Sequence, residues 1–184
     1  RFPAVNHKKV PVVPVSILTY KGQYMSRGSL EVTPDSVVVA GDPYLLESVK
    51  QVYTTPIRHL DISENVSGLT GIEPIKGVDI QARDVYYSID VVRYVEFVSD
   101  AHVEAANVPA GKALMIFPSV ATLRMRCEFP LMDETEGQQT LYVDYNDFKE
   151  SVGGHCPVRV KNLPKGVLSY EVEPVSVRCV EESR

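Results

Sequence analysis

The sequence predicts a mainly β protein made of two tandem domains, residues 1–98 and 99–184, each with at most one short helix. Three observations predict this class. Apolar and polar residues alternate with a period of two, as in Val78-Asp79-Ile80-Gln81-Ala82 and again from Val85 to Ile89. Thirteen prolines and 11 glycines are spread along the chain, which suits many short strands joined by tight turns. The order of strand and turn signals in the first half also returns in the second.

Arg1 to Lys9 is polar and reads as an irregular lead-in. Val10 to Leu18 is extended by its valines and prolines, because the residue before a proline is pushed towards β. A turn follows at Tyr20-Lys21-Gly22-Gln23, and Leu30-Glu31-Val32 leads into the organising stretch, Thr33 to Thr55. Pro34 opens a strand, a place that tolerates a residue without an N–H. Ser36 to Ala40 is too short and too β-branched for a helix. Gly41 breaks it, Asp42 is placed to cap a helix and Pro43 to occupy its first position. Leu45, Leu46, Val49 and Val52 then predict a helix of roughly two and a half turns. Ile57 to Leu60 forms a short strand ending at Asp61-Ile62-Ser63, and Ser67-Gly68 and Thr70-Gly71 punctuate a loop. After Gly77 come two closing strands, from Val78 to Ala82 and from Val85 to Phe97. Ser99-Asp100 is the expected joint.

The second half follows the same order. Val103 to Val108 opens it and Pro109 to Lys112 turns the chain. After Pro118, Ala121, Leu123, Met125 and Cys127 share one face of a strand, opposite Thr122, Arg124 and Arg126. Phe129-Pro130-Leu131-Met132 stands where the first half has its helix. Leu141, Val143 and Asp144 match the strand ending at Asp61. Strands at Pro157 to Val160 and Leu168 to Val172, with Gly166-Val167 between them, precede the closing run from Pro174 to Val180. The spacings Pro34 to Pro118 (84), Asp61 to Asp144 (83), Gly22 to Gly111 (89), Gly77 to Gly166 (89) and Val85 to Val175 (90) agree within a few loop residues. Each half is large enough for its own core, so the pattern describes tandem domains and not a solenoid.

Composition narrows the function. The formal net charge is −5 and neither half has a basic face, which argues against a nucleic-acid partner. No segment approaches the roughly 20 apolar residues that span a bilayer. A chain that opens on Arg1 is expected to be part of a longer protein, with any anchor upstream. Cys127, Cys156 and Cys179 are too few and too irregular for a disulfide framework.

Chemistry-bearing motifs are sparse. None of His7, His59, His102 and His155 has metal-ligand spacing. His155-Cys156 is an adjacent pair, but neighbours on a strand point to opposite faces, and valines and a proline follow instead of a helix N-terminus. A thiol enzyme using Cys156 is therefore the remote reading. The pairs Asp133-Glu134 and Glu181-Glu182 read as solvated surface. Asp61 and Asp144, recurring at strand ends, read as caps or Asx turns. Asn65-Val66-Ser67 fits a glycosylation sequon. Tyr86 and Tyr94 read first as cover for a sheet edge or as packing against the adjoining domain, and second as an exposed aromatic strip for a partner. The sequence therefore predicts no catalytic, metal or cofactor-binding residue.

Pro34 to Thr55 resembles the YbbR-like domain family, as does Gly77-Val78 followed by Asp84 to Ile89. The second half is similar in outline at Asn107 to Gly111, Phe117 to Val120, Val143-Asp144, Leu163 to Val167 and Pro174 to Val177. It departs in having no glycine after its strand and a degraded helix. The signature positions carried by the resemblance and the repeat are Pro34, Gly41, Asp61, Gly77, Pro118, Asp144, Gly166 and Pro174. The resemblance implies two tandem YbbR-like domains, tethered by an upstream helix on the extracytoplasmic face of a bacterial membrane. It implies a non-catalytic role through a protein partner, which in some bacteria is a membrane diadenylate cyclase that makes cyclic di-AMP. A spacer of the cell envelope without an enzyme partner is the alternative.

Overall fold

The computed structural model describes residues 6–132 and 138–184. Strand accounts for 64% and helix for 7%, which makes the fold mainly β. The chain divides into two compact units between Arg93 and Tyr94.

In the first unit, β1 (Asn6–Val13) and β2 (Ser16–Tyr20) form an extended run interrupted at Pro14-Val15. Asn6 to Lys9 is strand and not the irregular lead-in expected, because these residues pair antiparallel with β4 (Ser36–Gly41). β3 (Tyr24–Thr33) precedes β4, and α1 (Pro43–Ser48) follows it. The unit continues with β5 (Val52–Tyr53), β6 (Ile57–Ile62), β7 (Val66–Gly71), β8 (Val78–Ile80) and the start of β9 (Asp84–Ala106). One sheet has the order β5-β1-β4-β8, and a second places the first part of β9 between β3 and β7. β2 and β6 pair in parallel. The main core gathers Val10, Val12, Val37, Val39, Leu46, Val49, Val52 and Val85.

Two expectations in this unit are corrected. The helix lasts six residues, with Asp42 capping it and Pro43 in its first turn as expected, but Val49 turns extended and ends it. Val52 lies beyond it, fully buried in β5, where parallel pairing with β1 outweighs helical spacing. Lys8 Nζ donates to the Leu46 and Val49 carbonyls at 2.9 and 2.7 Å, satisfying acceptors that the short helix leaves open. Val66 to Gly71, expected as a loop, is a strand on β9. Its Gly68 lies under the Tyr87 ring: a Cβ there would come within 2.7 Å of Tyr87 Oη. The tyrosine fills the space that the glycine leaves, so two glycines do not break the ladder.

The second unit comprises the rest of β9, β10 (Lys112–Phe117), β11 (Val120–Glu128), β12 (Thr140–Asp144) and α2 (Tyr145–Glu150). β13 (His155–Pro157), β14 (Arg159–Lys161), β15 (Val167–Glu173) and β16 (Ser176–Ser183) complete it. One sheet runs β14-β12-β9-β11-β15 and the other β10-β16-β13. Ala121, Leu123, Met125 and Cys127 all face the core, as their alternation predicts. Ser99-Asp100, the expected joint, belongs to the second unit, opposite Leu123 and Thr122 of β11, and the division falls earlier in β9, between Arg93 and Tyr94. Phe129 to Met132 is not helical; the helix comes later, where Asp144 caps it. Asp133-Glu134 lies outside the described residues.

The two units repeat one topology. The strands β5, β1, β4 and β8 correspond to β12, later β9, β11 and β15. Similarly, β3, early β9 and β7 correspond to β10, β16 and β13. Five of the six pairings in each unit recur in the same sense, including the parallel pairs β1·β5 and β9·β12, whereas β2·β6 and β12·β14 have no counterpart. Register refines the repeat. Val85 corresponds to buried Val177, whereas Val175 is 75% exposed at a corner. Gly68 opposite Tyr87 corresponds to the ladder position of Gly154 beside Cys179.

Gly154 has φ +77, and a Cβ there would lie 2.3 Å from the Cys179 carbonyl oxygen. Gly28 has a similar φ of +79 with nothing within 4 Å. Gly154→Ala is expected to cost about 3 kcal/mol or more, since backbone must shift, and Gly28→Ala about 1 kcal/mol. Urea denaturation of both variants checks this; equal losses would mean that the close approach carries no cost.

Candidate functional site

The signature residues come first, because they recur. Pro34 and Pro118 follow cis peptide bonds where the chain leaves one sheet for the other, from β3 to β4 and from β10 to β11. In each unit the residue after the proline accepts a hydrogen bond from the central strand: Val12 N–H donates to Asp35 O at 2.8 Å, and Val103 N–H to Ser119 O at 2.8 Å. At these two valines the central strand changes from antiparallel to parallel pairing. Pro174, also after a cis bond, marks the passage from β15 to β16. Gly77 and Gly166 hold left-handed turns before β8 and β15, with φ +81 and +86. Gly41 packs against the first of these, its missing Cβ leaving 3.0 Å to the Gly77 carbonyl. In the second unit Glu128 donates its N–H to Gly166 O.

The two recurring aspartates part company. Asp144 caps α2, accepting from Asn146 N–H at 2.9 Å and from Asn107 Nδ2 at 3.1 Å. Asp61 lies within β6 at φ 56, and its own N–H donates to Thr19 Oγ1. All eight positions therefore act on backbone geometry.

The thiols form part of the second core. Cys127, Cys156 and Cys179 are free and buried, and Cys156 has no exposed surface. His155 is exposed while Cys156 faces inward, as strand alternation dictates. Cys156 Sγ donates to Gly154 O at 3.6 Å. Burial, then the hydrogen bond with Cys156, pushes the Cys179 thiol up to about 12, and burial raises Cys127 as well. A thiolate nucleophile needs the opposite shift. Among the described residues no group of three or more His, Cys, Asp or Glu is placed to hold a metal ion.

Polar clusters anchor α2. Tyr145 Oη donates to Glu181 at 2.8 Å, and Lys112 Nζ meets the same carboxylate at 3.1 Å. Hydrogen bonds from Tyr145 and Lys112 hold Glu181 below the usual carboxylate range, and the bond to Glu181, then the one with Tyr145, raises Lys112. Arg159 grips Asp147 through two bonds of 2.6 and 3.0 Å, which lowers the Asp147 carboxyl. In the first unit His59 Nε2 lies 2.7 Å from Tyr87 Oη. Tyr86 is 46% exposed, whereas Tyr94 lies under the Arg126 guanidinium at 5.2 Å. Asn65 of the sequon uses its Oδ1 to accept from Val91 N–H.

The open features are sheet edges. β8 and β15 hold corresponding terminal positions in their sheets. Beside β8 lies a groove of about 530 Å³ lined by Ile72, Pro74, Val78, Ile80 and Arg83, among others. Beside β15 lies one of about 560 Å³ lined by Val158, Tyr170, Glu171, Val172, Glu173 and Val175. The sequence showed the prolines and glycines that make the corners. The grooves follow from strand order, which alternation alone does not specify.

The Cys179 shift has a defined consequence. Its folded-state pKa lies above the ordinary thiol value, so its contribution to stability is complete below pH 9. That contribution is lost as pH rises from there towards about 12. Cys179→Ala is expected to flatten the fall in stability above pH 9 seen in urea titrations. An unchanged slope would show that the folded thiol titrates at the ordinary thiol value. Comparisons of the chain with models of known protein families, with curated proteins and with solved structures returned no match.

Proposed function

We propose that the chain is a non-catalytic protein-interaction module on the extracytoplasmic face of a bacterial membrane. In this reading it consists of two tandem YbbR-like domains that regulate a membrane diadenylate cyclase by direct contact. One observation carries the reading: the two units share five of their six strand pairings, and the signature prolines and glycines serve corners and turns in that shared frame, while Asp61 and Asp144 hold a strand and a helix cap beside it. Recurring residues that are occupied with backbone geometry belong to a scaffold. Interaction chemistry then falls to the parts that differ between the copies, namely the edges, α1 and α2. Among the described residues no helix is long and apolar enough to cross a membrane, so tethering in this reading comes from a helix upstream of Arg1.

Affinity purification of the full-length protein from membranes is expected to recover a diadenylate cyclase, and deletion of its gene to change cellular cyclic di-AMP at least twofold. Unchanged cyclic di-AMP with no cyclase recovered would favour a spacer of the cell envelope.

A further inference from the structure

We infer that the free edge of β15 is a docking strand for an extended, basic segment of a protein partner in which apolar residues alternate with lysine or arginine. This deepens the reading above by naming the partner's chemistry. β15 pairs with β11 along one side and ends its sheet on the other; beyond a bulge at Leu168, it leaves a regular line of backbone donors and acceptors open from Ser169 to Glu173. Edges are usually blunted by charged side chains, proline, bulges or brevity, and β15 relies on its bulge and on two anionic charges, Glu171 and Glu173, which repel a like strand and admit a cationic one. The counterpart β8 is three residues long, whereas Val167–Glu173 contains neither lysine nor proline.

The two faces of β15 specify what an added strand must carry. Tyr170 and Val172 lie opposite Met125 and Leu123, on the core side, and with Val158 and Val175 they form the apolar part of a groove lining that also includes Glu171 and Glu173. Every second residue of a guest strand would enter it, and these would be apolar. Glu171 and Glu173 project from the other face, both exposed, and neither forms an ion pair with a described residue. Arg124, which lies across from Glu171, is already bonded to Glu96 at 3.2 Å. The intervening guest residues would therefore be cationic, since opposite charges across a strand pair are favourable and like charges are not. The same carboxylates, on a unit with nine Lys/Arg against fourteen Asp/Glu, oppose pairing with a second copy.

The test titrates the 184-residue chain with a labelled seven-residue peptide alternating valine and lysine. A peptide of identical composition with contiguous valines serves as control. Saturable binding is expected for the alternating peptide, with slowed hydrogen exchange confined to Val167–Glu173. Binding is expected to weaken about tenfold or more for the control peptide and for the Glu171→Lys, Glu173→Lys double variant. Val175→Ser, at an exposed position, is expected to weaken it about threefold through the groove alone. Absent saturation, equal binding of both peptides, protection elsewhere, or a dimer of the chain paired through β15 would each overturn the inference. This titration reads the second unit by itself, so its failure is distinguishable from failure to recover a cyclase with the full-length protein.

Discussion

Each unit depends on a single backbone hydrogen bond at the point where its central strand changes partners. Val12 and Val103 donate to the carbonyl that follows a corner proline, Asp35 in one case and Ser119 in the other. Before that point the strand is held antiparallel, and after it parallel. Without the bond, a buried valine would leave its N–H unpaired just where two ladders meet, at a cost of about 1–3 kcal/mol. The corner proline contributes by what it lacks, since a residue with no N–H leaves no donor stranded where the chain changes sheet.

Much of this was legible in the residues. The alternation of Ala121, Leu123, Met125 and Cys127 located a core face, and Asp42-Pro43 located a helix start. The recurrence of Pro34 and Pro118 located two strand starts, which in the structure are corners between sheets. The misses have physical causes. α2 spans six residues, Tyr145–Glu150, too few to display a helical period, and it is held by contacts to Glu181 and Arg159 that no local pattern announces. β7 carries two glycines and forms because Tyr87 covers one of them from a neighbouring strand. Val52 fits a helical spacing and is nevertheless strand, since pairing with β1 buries it fully.

The surface features were less legible than the frame. Glu171 and Val172 read simply as alternating strand residues, and only the strand order shows that β15 ends a sheet. Cys156 stood out because it neighbours a histidine. The same alternation that makes Pro157 and His155 surface residues makes Cys156 a core residue.

The two helices lie outside the shared hydrogen-bond pattern. α1 occupies the connection from β4 to β5, the corresponding connection has no helix among its described residues, and α2 sits after β12 instead. After a duplication, such connections drift most freely, because lengthening or refolding them leaves every ladder intact. A descendant of this fold can thus acquire new surface at these two links while inheriting its interior unchanged.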